Sequence, residues 1–347
     1  MRVLVIQQKM IGDVLASTVI CQAIKTKHPD WEIHYMIYPN TVAVIENNPY
    51  VDKLIIFDSK QHKGLSKLVR FGKKLKAEKY NAVIDAYGKW ESMIPAYFSD
   101  AKIRIGHKKP YTSLFYNQPI KTSPNIQGAA IYNRLELAQA LIGEMISIDF
   151  PKIYLTEEEI LKAKTALQSR VDASKKTIMI GVLGSSLDKS LPAEEMARML
   201  DFIALSNNCQ MLFNFMPNQE AEAKAIFDWC KPETKAKIIF DFNTKSLRDF
   251  LAVLSQCDAL VGNEGGAVNM AKALEIPTFA IFSPWIKKES WSNSADKNHV
   301  AVHLKDFHPE IYNGKSPKKF KKHSLELYKK LKFNLFENQL REFLGRI

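Results

Sequence analysis

Cysteine is scarce in this chain of 347 residues: Cys21, Cys209, Cys230 and Cys257 stand far apart, with no CxxC pair. That spacing argues against a zinc site or a disulfide framework and fits a reducing compartment. Long apolar runs are missing too. No stretch approaches the ~18 apolar residues that a bilayer-spanning helix needs. The apolar run at residues 1–9 is too short for a signal peptide and lacks a small-residue cleavage site. A cytoplasmic protein is expected, with peripheral contact at the inner membrane face left open. Several catalytic signatures are absent as well. There is no GxGxxG after the first strand, which lowers the case for a dinucleotide oxidoreductase. No DxD is present to clamp a metal on a nucleotide sugar, and there is no GxSxG or HExxH.

What is present is ordinary for a protein with a real core: 46% hydrophobic and 25% charged residues. The length suggests two domains at roughly 150 residues each. The formal net charge is +12 and the pI about 9.3. A generically basic surface would explain this, as would an anionic partner such as a nucleotide, a nucleic acid or an anionic lipid.

Short apolar runs alternate with helical patterns along the whole chain. Strands are expected at 3–6, 32–36, 53–56, 82–85 and 103–106, and helices at 13–27, 63–79 and 131–141, the second with a strongly basic face. The pattern restarts after a polar hinge candidate at 171–176. Strands follow at 177–183, 210–214, 238–241, 259–261 and 278–282, with helices at 157–169, 193–206, 220–230, 247–256 and 267–274. Strand–helix alternation implies a parallel sheet with helices on both faces. The chain therefore reads as α/β, two Rossmann-like domains in tandem: residues 1–170, then 171–322. In the remaining 323–347, Leu325, Tyr328, Leu331, Leu335 and Phe336 recur at helical spacing beside a lysine-rich stretch. This predicts an amphipathic helix packing back on the body. A lysine face at an anionic membrane is the lesser alternative.

Three segments point to chemistry. The first is Ile11-Gly12-Asp13 after the first strand, where the aspartate is either an N-cap or a base at the edge where parallel sheets place ligands. The second is Gly184-Ser185-Ser186-Leu187-Asp188-Lys189. Its small residues allow close approach to a phosphate and Lys189 supplies a cation; an ordinary polar loop fits equally. The third is Asn263-Glu264-Gly265-Gly266-Ala267-Val268-Asn269. There a glycine pair opens a helix, and its first N–H groups favour an anion. Glu264 is placed to accept from a sugar hydroxyl. The other reading of the pair is a tight turn that uses glycine for its backbone freedom.

Together these blocks resemble glycosyltransferase family nine, the heptosyltransferase-like enzymes of lipopolysaccharide assembly. The similarity includes Lys189-Ser190-Leu191-Pro192, the run 263–274 with Ile276-Pro277-Thr278, and weaker echoes at Arg104-Ile105-Gly106 and Leu141-Ile142-Gly143. The resemblance implies two Rossmann-like halves facing across a cleft (the GT-B type), with acceptor on the N-terminal half and donor on the C-terminal half. It implies inverting transfer of a heptose or related sugar without a metal or other cofactor. Asp13 would be the base and Lys189 the cation on the leaving diphosphate, with Lys9 and Gly12 on the acceptor side. Ser185, Ser186, Glu264, Gly265, Gly266, Ala267, Val268 and Asn269 would hold the donor, and Glu220, a looser match, the nucleoside. The partners implied are a nucleotide sugar and an anionic glycolipid.

Two departures matter. The family usually has aspartate at Glu264 and histidine at Asn269, so the donor sugar is loosened. Two other classes compete: a nucleotide-sugar epimerase on the same architecture, and a non-catalytic sugar-nucleotide-binding protein. Nucleic-acid binding would explain the charge but not the three blocks, and no aromatic–basic RNA motif is present.

Overall fold

The computed structural model describes residues 1–122, 128–148, 150–206, 208–242, 244–292 and 296–347. It divides into two compact units, Met1–Tyr154 and Leu155–Ile347. The division falls before the expected 170/171 boundary. The helix Glu157–Gln168 belongs to the second unit, because it packs on the helix Leu247–Leu254. Arg248 and Glu159 join the two as an ion pair, and Thr156 caps the first by accepting from the Glu159 N–H.

In the first unit six strands form one parallel sheet: β1 (Arg2–Ile6), β2 (Glu32–Ile37), β3 (Lys53–Ile56), β4 (Ala82–Asp85), β5 (Ile103–His107) and β6 (Gln118–Ile120). Their order is β3-β2-β1-β4-β5-β6. Val3 to Ile6 have no exposed surface, as expected of a central strand covered on both faces. The helix Ile11–Lys27 covers one face beside the helix Ala129–Ile142. The helix Leu65–Lys76 packs against Trp90–Phe98. Contact there is close: a Cβ on Gly72 would lie 2.6 Å from the Phe98 Cβ.

The second unit repeats the plan with β7 (Lys176–Gly181), β8 (Cys209–Asn214), β9 (Ile238–Ile239), β10 (Ala259–Asn263), β11 (Thr278–Phe282) and β12 (His299–His303). The order is β12-β11-β10-β7-β8-β9, again all parallel. Numbered within each unit, both sheets run 3-2-1-4-5-6, the doubly wound order whose switch point lies between the first and fourth strands.

The expected single C-terminal helix is two, Ser324–Tyr328 and Phe333–Leu344. The buried Glu195 carboxylate accepts the Phe333 N–H at 2.8 Å and pairs with Lys332 at 3.1 Å. This anchors a fresh helix start. Phe336, Leu340 and Phe343 then fill the core beside Phe279, while Leu325 points outward at 52% exposure. The expected helix 63–79 shortens to Leu65–Lys76, preceded by Gly64 at φ +100°. The strand expected at 177–183 stops at Gly181. The sequence reading missed the helix Trp90–Phe98, which carries Pro95, and the edge strands β6 and β12. Among the described residues no helix is long and apolar enough to cross a membrane.

Three histidines, His107, His299 and His303, are largely buried, and burial pushes each from 6.5 down to about 4. The unfolded chain therefore binds more protons between those values, and each histidine's contribution is lost as pH falls through that window. The stability difference between wild type and His107→Gln should shrink by about 1–2 kcal/mol from pH 7 to pH 5. Denaturant unfolding at the two pH values measures it; a constant difference would show that His107 titrates normally.

Candidate active site

In the first unit, the residues of interest follow β1. The helix begins at Ile11, so Asp13 lies in its first turn rather than at the N-cap. Its carboxylate reaches back toward the Met10 N–H at 3.5 Å. The other oxygen accepts from Arg134 at 2.8 Å. Arg134 comes from the helix Ala129–Ile142 and is only 11% exposed, whereas Asp13 is 36% exposed. The guanidinium also donates to Ser17 Oγ at 2.6 Å and to the Ala130 carbonyl. The result is a carboxylate oriented from behind and open in front. Gly12 is buried under this turn, and Lys9 is exposed beside it with its ammonium 5.9 Å from the Tyr38 ring centre.

Two further polar groups belong to this edge. Gln8 has no exposed surface, and its Oε1 has no hydrogen-bond partner among the described residues. His107, at the end of β5, likewise has an unpartnered Nδ1. It stays neutral because burial and the nearby positive charge of Arg134 disfavour its cation.

In the second unit, three segments meet at the carboxyl edge of the sheet. After β7, the loop at 184–190 is folded by its own hydroxyls: Ser190 Oγ accepts the Gly184 N–H at 2.9 Å and donates to the Ser186 carbonyl at 3.0 Å. Gly184 is required there, since a Cβ would sit 2.2 Å from the Lys189 carbonyl oxygen. Ser185 and Ser186 are exposed. After β8, Gln219 donates to the Gly184 carbonyl at 2.8 Å, and Glu220 opens the next helix in an exposed position. After β10, Asn263 ties the pieces together. Its amide donates to the Gly181 and Val182 carbonyls at 3.1 and 3.0 Å, and its oxygen accepts the Leu191 N–H at 2.7 Å.

Beyond Asn263 comes the turn. Gly265 has φ +156°, a conformation that side chains rarely adopt, and a Cβ on it would meet nothing within 4 Å. The helix Gly266–Ala273 follows with no side-chain cap. The amides of Gly266, Ala267 and Val268 therefore start it with the positive helix end uncovered. Asn269, one residue on, is half-buried. Lys189 Nζ lies 3.6 Å from Glu264 Oε1 and 5.6 Å from the Trp285 ring centre. Burial raises the Glu264 carboxyl above its ordinary value, and Lys189 opposes that rise. Close by, the Tyr328 hydroxyl and Trp285 Nε1 are buried without partners among the described residues. The Tyr328 phenol is raised well above 10 by burial, with Glu264 and Asp188 adding to it.

The structure thus brings Ser185, Ser186, Lys189 and the turn 264–269 to one sheet edge, and sets Asp13 with Gly12 and Lys9 at the matching edge of the other sheet. The sequence reading missed Arg134, Trp285 and Tyr328. No local pattern marks them: Arg134 stands 121 residues from its aspartate.

Both halves are doubly wound α/β units with polar residues at the switch point, where open parallel sheets place their ligands. The profile of glycosyltransferase family 9 (heptosyltransferase) matches residues 68–316. The lipopolysaccharide heptosyltransferase 1 of Campylobacter coli is 24% identical over 303 residues, covering 81% of this chain and 84% of that protein. Among solved structures, a family 9 glycosyltransferase from Veillonella parvula superposes with a TM-score of 0.76 at 18% identity, covering 95% and 97% of the two chains. The E. coli heptosyltransferase WaaC with ADP gives 0.71 at 18% identity, covering 99% and 100%. The chain belongs to glycosyltransferase family 9, and it is an enzyme of the glycosyltransferase class.

Gly184→Ala should cost about 1–3 kcal/mol, because the Lys189 carbonyl is backbone and cannot swing aside. Ser185→Ala, at an exposed position, should stay within about 0.5 kcal/mol. Equal melting temperatures for the two variants would show that the loop is not packed as described.

Proposed function

We propose that this enzyme catalyses inverting, metal-independent transfer of a heptose or related sugar from a nucleotide-sugar donor to an anionic, lipopolysaccharide-type glycolipid. The observation that carries the reading is the uncapped, glycine-led helix start with Lys189 held beside it at a parallel-sheet edge. The relatives point the same way: one is named a lipopolysaccharide heptosyltransferase, and one solved structure holds ADP.

The chemistry follows from charge. An acceptor hydroxyl oxygen attacks the anomeric carbon from the face opposite the donor diphosphate. The bond from that carbon to the diphosphate oxygen breaks, and the leaving group departs with the electron pair. Asp13 takes the hydroxyl proton, held in position by Arg134. Negative charge grows on the diphosphate, where Lys189 and the amides of Gly266, Ala267 and Val268 oppose it in a preorganised setting. These fixed donors supply the positive charge that a metal supplies elsewhere, so the reaction needs none. Ser185 and Ser186 line the phosphate side, Glu264 and Asn269 face the sugar, and Glu220 faces the nucleoside. Lys9 and Gly12 border the acceptor. Glutamate and asparagine at 264 and 269, where relatives usually carry aspartate and histidine, tune the choice of sugar.

Asp13→Asn keeps an oxygen for Arg134 but cannot take a proton. Its kcat should fall by about 10²–10⁴-fold, while the thermal shift caused by ADP stays at the wild-type value. Lys189→Met should do the reverse at the binding step, weakening the ADP-induced shift. Product mass spectrometry with ADP-heptose and a truncated lipopolysaccharide acceptor reads the transfer. An Asp13→Asn variant as fast as wild type would remove the base from the mechanism. An isomerised donor with no free nucleoside diphosphate would replace transfer with epimerisation.

A further inference from the structure

The first unit carries an apolar groove of about 660 Å³ between the helices Leu65–Lys76 and Trp90–Phe98. Its floor is Leu68 and Ile94; its rim is Leu65, Trp90, Tyr97 and Leu114. The rim residues are unusually open for their type, at 66%, 56%, 46% and 79% exposure respectively. They do not stand singly. Trp90 packs on Phe115 and stacks with Tyr111 at 6.0 Å, and Tyr97 packs on Phe115 from the other side. A contiguous exposed apolar patch of this kind marks an interaction surface rather than ordinary surface scatter.

The surrounding charge says what it meets. Residues 60–110 hold 13 Lys and Arg against four Asp and Glu, a net charge of +9, and the stretch 315–332 carries a second cluster of eight Lys against one Glu. The cations adjoin the groove. Lys63 precedes its Gly64 and Lys67 precedes its Leu68, while Lys89 precedes Trp90 and is exposed. Arg104 lies over the Tyr97 ring at 5.5 Å, and Lys109 donates to the Gly88 carbonyl at 2.9 Å. The four carboxylates in the stretch are occupied: Glu78 pairs with Lys53, Asp85 is buried, Asp100 pairs with Lys76, and Glu91 accepts from the Tyr38 hydroxyl. Tryptophan and tyrosine at a rim, leucines projecting between them and lysines around the edge are the composition of a surface that lies on an anionic bilayer. A protein partner of the ordinary kind would meet an apolar centre depleted of such charge.

We propose that the groove and its rim dock the first unit onto the surface of an anionic membrane, with Leu65 and Leu114 entering the acyl boundary and the flanking lysines on the lipid phosphates. The proposal deepens the glycolipid-acceptor reading, since the Glu91 carbonyl, next to Trp90, accepts from the buried Gln8 in the loop that leads to Asp13. It places the contact here and not on the lysine-rich stretch at 315–332.

The test is flotation of the full-length chain with vesicles of phosphatidylcholine, with and without phosphatidylglycerol, so it needs neither sugar donor nor acceptor. Wild type should bind the anionic vesicles, release at high salt and ignore the neutral ones. Leu65→Ser/Leu114→Ser should lower the bound-to-free ratio about tenfold or more. Lys318→Ser/Lys319→Ser/Lys322→Ser should bind as wild type does. Transfer to a soluble acceptor lacking acyl chains should be unchanged in the leucine variant, which separates a lost dock from a damaged enzyme. No binding by wild type, equal binding to neutral vesicles, wild-type binding by the leucine variant, or loss confined to the lysine variant would each overturn the proposal. If transfer itself fails in wild type while vesicle binding follows the expected pattern, the acceptor reading falls and the docking surface stands.

Discussion

The constraint on which this protein rests is strand order. In a parallel sheet running 3-2-1-4-5-6, the connections from the first and fourth strands leave toward opposite faces. Their loops diverge at the carboxyl edge and leave a notch that the backbone cannot fill. Asp13 follows the first strand of one sheet, while Lys189 and Glu264 follow the first and fourth strands of the other. The central strands are mostly buried hydrocarbon, with polar side chains such as Asn263 and Asp85 at their carboxyl ends. Within each unit their role is to hold short loops at the carboxyl edge, and Asn263 does this most directly by bonding to the Gly181 and Val182 carbonyls and to the Leu191 amide. A buried amide with three partners is costly to misplace, since each lost bond leaves an unsatisfied group.

The first unit combines two demands that usually conflict. Its polar edge needs carboxylate and arginine held in register, and its outer surface leaves leucine and tryptophan open to water. The sheet separates them. Arg134 approaches Asp13 on the helix packed against Ile11–Lys27. The apolar rim belongs to the two helices packed on each other, Leu65–Lys76 and Trp90–Phe98. Exposed leucine lowers solubility, and the dense lysine around it offsets that through charge repulsion between copies. The basic residues are therefore clustered, one cluster around the apolar rim and another at 315–332, and are not spread evenly over the molecule.

Much of this was legible in the sequence, and the reasons are physical. Central strands such as 3–6 and 278–282 are continuous apolar runs bounded by turns, and nothing competes with that signal. The helix at 193–206 was read to its last residue because its periodicity is unbroken. The glycine turn at 265–266 was legible because φ +156° excludes most other residues. Elsewhere tertiary contacts decided. The C-terminal helix broke in two because Glu195, far back in the chain, accepts the Phe333 amide. Edge strands β6 and β12 are set by pairing with one neighbour, so their own composition says little. Arg134 could not be read as the partner of Asp13, because only packing of two distant helices brings them together.

In the proposed donor site, Lys189 waits beside Glu264 without collapsing onto it. At 3.6 Å the contact is longer than a charge-assisted hydrogen bond, which lies near 2.7–2.9 Å. Glu264 is mostly buried and its ionised form is disfavoured there, with Lys189 as the group that opposes the rise. Among the described residues the pair is therefore half-satisfied: a carboxyl oxygen without a hydrogen bond, a tyrosine hydroxyl and an indole N–H nearby in the same condition. Buried polar atoms left this way are expensive unless something arrives to meet them. In the proposed reaction the donor meets them, its diphosphate taking the ammonium and its sugar hydroxyls donating to the freed carboxylate. Under that proposal the incomplete site selects its ligand, because one that cannot supply both an anion and a donor leaves the cost standing.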